Sequence, residues 1–305
     1  MPALADNSRG IIMMVLSNLA FIINDTWIKL VSEGLPTGQI LFIRGLISFV
    51  LISLIVFATG THRHWRAVCN RLVAWRTVGE IGATILYLYA LFNMPIANVS
   101  AIGQIVPLMT TAAAAIFLAE PVGWRRWTAI AVGFFGVLLI MRPSVSGFDL
   151  FSLAALGSMG FITLRDLVTR ELAPGVPTLL VVAITAGAMT ATGATLSITE
   201  NWPVPDTRQW TILTAASVLL LGGYGTSILA MRYGAMAVVA PFRYSGILFA
   251  VILGYAVWGD VPDSLTLVGT LIVVATGVYT FRREMRLAQQ EQQAVEPSPV
   301  SQSSA

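Results

Sequence analysis

Ten stretches of this chain are apolar over the length a helix needs to cross a lipid bilayer, about 20 residues for a hydrocarbon core about 30 Å thick. They lie near residues 10–31, 37–59, 74–93, 95–118, 127–142, 149–168, 177–198, 210–231, 235–258 and 264–281. Backbone polar groups in lipid must be satisfied within the segment, so runs of this length imply helices. Charged residues make up 11% of the chain and AVILMFWYC 56%, with a mean hydropathy of +0.78. Soluble domains carry about 25% charged residues, and a globule with so few could not cover its surface. Disorder is excluded too, because disordered chains are poor in apolar residues. The expectation is an all-α integral membrane protein with ten transmembrane helices.

The punctuation supports this division. The third and fourth runs are nearly continuous, and Pro95 separates them because it donates no helical hydrogen bond and restricts Met94. Residues 1–9 are polar, and the first run is of spanning length, so it reads as a retained helix and not a cleaved signal. The tail from 287 to 305 is rich in Gln, Glu, Ser and Pro and reads as disordered. Cys69 stands alone, so no intrachain disulfide or CxxC motif is available. His62 and His64 lie far from other ligand types and suggest no metal site, and no cofactor is implied.

Basic residues set the expected orientation, because cytoplasmic loops carry the Lys/Arg excess. With ten spans, both termini and alternate loops share one side. That side holds 13 of the 18 basic residues: Arg9, Arg63, Arg66, Arg71, Arg76, Arg125, Arg126, Arg165, Arg170, Arg232, Arg282, Arg283 and Arg286. The opposite side holds Lys29, Arg142 and Arg208, and both termini are therefore expected in the cytoplasm. The sequence pI near 9.3 follows from topology and calls for no nucleic-acid partner.

The chain also matches itself at an offset of 140. Phe21 meets Phe161, Gly82 meets Gly222, Ala90 meets Ala230, Ala97 meets Ala237 and Glu120 meets Asp260. A repeat of five spans is odd, so the second copy enters the membrane upside down. Inverted repeats give many secondary transporters their two access states, with the substrate site near mid-membrane at the repeat interface.

At these residues the chain resembles a known family. Met94-Pro95-Ile96-Ala97 through Glu120-Pro121, then Gly133-Phe134-Phe135-Gly136-Val137, is similar to the first EamA repeat of the drug/metabolite transporter superfamily. Phe42-Ile43-Arg44-Gly45 resembles the start of that family's second helix, and Ala240-Pro241-Phe242-Arg243-Tyr244 through Gly259-Asp260 its ninth. The resemblance covers about residues 10–282. It implies two inverted five-helix repeats, residues 10–142 and 149–282, residence in the bacterial inner membrane, and proton- or gradient-driven movement of small organic solutes. Asp260 replaces the commoner Glu, and Ile184 stands where a counterpart of Arg44 would fall. Asn24-Asp25 with Lys29, together with the Pro-Phe-Arg-Tyr segment, resembles the branch of riboflavin importers and S-adenosylmethionine uptake proteins.

Ionisable residues inside a span are costly and therefore functional candidates. Asp25 and Arg44 fall at similar depths, roughly 9–12 Å from one end of their helices at 1.5 Å per residue. They could form a static pair, or Asp25 could take a proton or contact substrate; it also stands i, i+4 to Lys29. Arg243 has no acidic neighbour within a turn, so it needs a distant carboxylate, free carbonyls or an anionic ligand, unless it snorkels to the interface. Pro241 and Pro107 mark helix hinges. Glu80 follows Arg76 by four residues, as an interfacial pair or a buried proton acceptor. Asn98, Ser100 and Gln104 add hydrogen-bonding groups. Trp27, Tyr87, Tyr89, Phe92 and Tyr244 could stack on a flat solute.

An ATP-driven pump would need GxxxxGK[ST], and Lys29 is the chain's only lysine. A membrane enzyme would need catalytic groups in sizeable loops, yet loops 60–73 and 199–209 are basic or Pro-rich. A channel would want a polar-lined pore. The expectation is a carrier for a flat, polar-edged heterocycle such as riboflavin, with export of amino acids or related metabolites as the rival.

Overall fold

A computed structural model describes residues 4–120, 122–142, 149–173, 175–234 and 236–295, which among them form helices and no strand. In order these are α1 (Leu4–Ser32), α2 (Thr37–Ala58), α3 (Arg71–Asn93), α4 (Ile96–Gly103), α5 (Val106–Phe117), α6 (Trp124–Met141), α7 (Leu150–Arg170), α8 (Thr178–Leu196), α9 (Thr207–Tyr233), α10 (Met236–Val239), α11 (Ser245–Trp258) and α12 (Ser264–Val295). Short 3-10 turns cover Thr61–Val68, Ser197–Thr199 and Ala240–Tyr244. Asn70, Asp149 and Asp206 cap α3, α7 and α9 by accepting from first-turn amides, with Gln209 completing a capping box at α9.

Two expected single helices are broken. The run at 95–118 divides into α4 and α5, with Pro107 in the first turn of α5, because proline has no amide to offer the carbonyl one turn back. The run at 235–258 divides into α10, the Ala240–Tyr244 turn containing Pro241, and α11. Gln104 and Tyr244, at these two breaks, are 140 residues apart. The last helix runs to Val295, beyond residue 287 where composition placed the start of disorder. Residues 296–305 lie outside the described part, as does Pro121.

Nine stretches among the described residues are long and apolar enough to cross a membrane, against ten expected. The helix outside that set is α3, whose apolar sequence is diluted by Arg76, Glu80 and Asn93. Outward faces carry Phe117, Leu271 and Phe57 at 75%, 68% and 66% exposure, the reverse of a water-facing surface. Exposed Trp65, Trp75, Trp124 and Trp127 lie by helix termini at one end of the bundle, and exposed Trp202 and Trp210 at the other, as in the aromatic belts of membrane proteins.

Packing joins helices distant in sequence. α1 lies against α9, α2 against α8, α3 against α7, and α6 against α12. α1 also meets α11, and α4 and α5 meet α7. Association within lipid depends on close packing of small residues. Thus a Cβ at Gly136 would stand 2.9 Å from the Gly269 carbonyl oxygen, and one at Gly269 2.5 Å from that of Gly136. Contacts recur at offsets of 140 or 141 residues. Ser17 Oγ donates to Gly223 O and Ser158 Oγ to Ala83 O, both over 2.8 Å. Phe21 covers Gly223 and Phe161 covers Gly82. Glu120 N bonds Ala114 O at 3.3 Å and Asp260 N bonds Gly254 O at 3.2 Å; these turns follow left-handed Ala119 (φ 55°) and Gly259 (φ 73°).

Candidate functional site

Two layers of polar side chains fill the middle of the bundle. In the first, Tyr87 of α3 donates from its hydroxyl to Asp25 Oδ2 over 2.6 Å, and Asn24 Nδ2 donates to Asp25 Oδ1 over 2.9 Å. Arg44 of α2 faces this group across the interior without a direct ion pair to Asp25, interacting with it electrostatically. Half-buried Arg44 makes no hydrogen bond or ion pair among the described residues. The expected Asp25–Lys29 pair is not made. Lys29 instead donates to Met94 O over 2.6 Å and lies 4.9 Å from the Trp258 ring centroid, because Pro95 ends α3 and leaves that carbonyl free.

The second layer holds Glu80, which reaches Arg165 of α7 at 3.2 Å and Arg76, its i, i+4 neighbour, at 3.9 Å. The expected local pair is thus the longer of the two contacts. Gly79 lets α7 approach, its absent Cβ standing 3.1 Å from the Arg165 backbone. Arg76 Nη1 also donates to Thr185 Oγ1 over 2.9 Å, and Arg165 pairs with Asp166 at 2.8 Å. Arg76 and Arg165 thus cross-link α3 to α8 and α7. Tyr224 of α9 stacks edge-on with Phe21 at 5.2 Å and interacts with Glu80, Arg165, Arg44 and Arg76. It nonetheless keeps 45% of its surface accessible.

The remaining candidates divide. Asn98 and Gln104 are half-buried, and their side chains have no hydrogen-bond partner among the described residues. Arg243 is exposed on the 3-10 turn and unpaired among the described residues. Tyr244 directs its hydroxyl against Gly277 of α12, and Pro241 and Pro107 sit at the two breaks. Trp27 and Phe92 pack into an apolar cluster with Ile28 and Leu91, while Tyr89 stacks on Phe151 at 5.3 Å. The expected aromatic set is thus largely committed to packing, with Tyr87 at the polar centre. Tyr224, Arg165, Thr185 and Asn18 were not singled out from sequence. Asn18 was legible only as an amide in an apolar run; it donates to Phe242 O and Ser245 Oγ, each over 3.0 Å, and so satisfies the broken segment. Among the described residues no group of three or more His, Cys, Asp or Glu could hold a metal.

The chain is thus a helical bundle with nine membrane-spanning candidates among its described residues, with paired charges and broken helices in its interior. Residues 8–142 match the EamA-like transporter family, so this stretch carries an EamA-like domain. It is 29% identical over 269 residues to the pseudopaline exporter CntI of Pseudomonas aeruginosa, covering 87% of this chain and 93% of that one. It is 25% identical to the S-adenosylmethionine uptake transporter of Rickettsia bellii, with 93% and 97% covered. It is also 25% identical to the riboflavin transporter of Vibrio cholerae, with 93% and 96% covered. A solved crystal structure with 18% identity shares the fold at a TM-score of 0.58, over 92% of this chain and 99% of that one.

Proposed function

We propose that this chain is a secondary carrier of the EamA type that moves a small organic solute across the bacterial inner membrane by alternating access. In this reading ten helices cross the bilayer as two inverted halves, residues 10–142 and 149–282, with both termini cytoplasmic. The exchange-symmetric packing supports it: α1 on α9 answers α7 on α3, and the α4/α5 break answers the Ala240–Tyr244 turn. In such folds the site lies where the halves meet near the midplane, beside interrupted helices.

The observation that carries the reading is that Asp25 and Arg44 face one another without bonding. A central arginine costs about 2.5–3.5 kcal/mol on insertion scales, and no side chain among the described residues offsets that by direct contact. An occupant with both donor and acceptor edges would bridge the two charges, with Tyr87 and Tyr224 beside it and the amides of Asn98 and Gln104 available at the α4 side. A flat heterocycle such as riboflavin has this chemistry, and the likeness to the riboflavin transporter agrees. Export of amino acids or related metabolites is the second reading, favoured by the likeness to the pseudopaline exporter.

Proteoliposomes loaded or bathed with riboflavin test the choice. Saturable flux that responds to an imposed proton gradient and shows counterflow is the expected result. No saturable riboflavin flux, together with resistance of expressing cells to toxic amino-acid analogues, establishes the exporter.

A further inference from the structure

The stripe of α12 at residues 275, 278, 279, 282, 283 and 286 follows helical spacing and so lies on one face. With Arg125 in the first turn of α6, it encloses a cavity of about 620 Å³, a size that holds a small ligand. Its wall is graded. Ala275 and Val278 are apolar, Tyr279 is intermediate, and Arg282, Arg283 and Arg286 crowd the far end. At 1.5 Å per residue the gradient spans about 16 Å, and the apolar span of α12 ends at Arg283, so the arginines lie at the edge of the hydrocarbon layer.

Arg125 lies over the Trp124 ring, 5.5 Å from its centroid. Arg125, Arg282, Arg283 and Arg286 have no carboxylate partner among the described residues, and Arg283 Nε is buried without a hydrogen-bond acceptor. Gly123 precedes α6 and offers no side-chain cap, so the first-turn amides and positive dipole end of that helix favour an anion near Arg125. Trp124 and Trp127, in the first turn of α6 beside Arg125, are exposed, as aromatic side chains at the level of the headgroups are. Four guanidiniums suit a phosphate, with its planar hydrogen-bonding geometry.

We propose that this cavity is a binding site for the phosphodiester headgroup of an anionic phospholipid, whose acyl chains run down the Ala275–Val278 wall. The apolar wall separates this occupant from a soluble phosphate, which would have no use for it. The lipid ties the start of α6 to the end of α12, the two helices that cross at Gly136 and Gly269.

Native mass spectrometry of the delipidated full chain tests this, with phosphatidylglycerol, cardiolipin or phosphatidylcholine added in detergent. Retention of the two anionic lipids at least about tenfold above phosphatidylcholine is expected. Arg282→Gln with Arg286→Gln should weaken anionic retention about thirtyfold, given the usual contribution of each basic residue at a membrane surface. The corresponding double lysine variant should keep the preference, and Arg63→Gln, in the 3-10 turn Thr61–Val68, should leave it unchanged. If the glutamine variant does not fold, the wild type still decides: its anionic-lipid retention should fall with added salt. Equal retention of phosphatidylcholine, insensitivity to salt, or an unchanged glutamine variant overturns the site. Displacement of the lipid by inorganic phosphate at equal concentration overturns the lipid assignment.

Discussion

The Tyr87 hydroxyl donates to Asp25 Oδ2 over 2.6 Å, joining α3 to α1 at the depth where Arg44 faces them both. Because Asn24 supplies a second donor to the other carboxylate oxygen, Asp25 is held by two neutral groups while Arg44 acts on it through space. Replacing the carboxylate by an amide separates structure from charge. Asp25→Asn keeps an acceptor for Tyr87, so it should insert and unfold thermally much as the wild type. Solute flux in proteoliposomes should fall about tenfold or more, the scale of one lost charged hydrogen bond. Normal flux in this variant removes Asp25 from the transport path.

The Glu80–Arg165 pair should contribute to stability. Both side chains keep only 16% and 21% of their surface accessible, so the loss of one partner is poorly compensated by solvent. Glu80→Gln and Arg165→Gln, measured singly and together by thermal unfolding in detergent, should show a coupling of about 0.5–3 kcal/mol. Additive single effects would mean that the two charges act independently.

Arg243→Lys should accumulate like the wild type and lose most transport. Exposed and unpaired among the described residues, Arg243 has a planar donor set that an ammonium cannot reproduce. Near-normal uptake would assign it to membrane anchoring, a task lysine performs equally well.

Glu200 caps α2 from a distant loop, its carboxylate accepting from Gly38 N at 3.0 Å and Gln39 N at 3.2 Å. Glu200→Ala should therefore destabilise the protein by about 0.5–2 kcal/mol, as loss of a side-chain cap does, read as a lowered midpoint of unfolding. An unchanged midpoint would show that water replaces the cap at no cost.

A reporter fused after Arg286 should be active when it requires the cytoplasm and silent when it requires the periplasm. The opposite pattern inverts the proposed orientation.

The helices were legible in the sequence because apolar run length depends on neither rotation nor partner. The breaks were nearly so: Pro107 and Pro241 announced them, and the structure moves the first discontinuity a few residues ahead of Pro107, to Gln104 and Ile105. Partners across helices were not legible. Asp25 and Lys29 stand four apart and invite pairing, yet the orphan Met94 carbonyl draws Lys29 away. Glu80 likewise prefers Arg165, 85 residues distant, because Gly79 brings α7 close to α3. Such choices depend on which faces meet, and apolar helices in lipid carry little amphipathic signal to orient them.

The interleaving of α1 with α9 and of α3 with α7 bears on how the chain is made. When α1 leaves the ribosome, the helix that will accept from Ser17 and the turn that will accept from Asn18 have not been synthesised. The early helices must therefore wait in the bilayer with polar groups unsatisfied, and final assembly is postponed until the late segments arrive. A chain severed between α6 and α7 should consequently yield two fragments that are each degraded when expressed alone and rescued when expressed together.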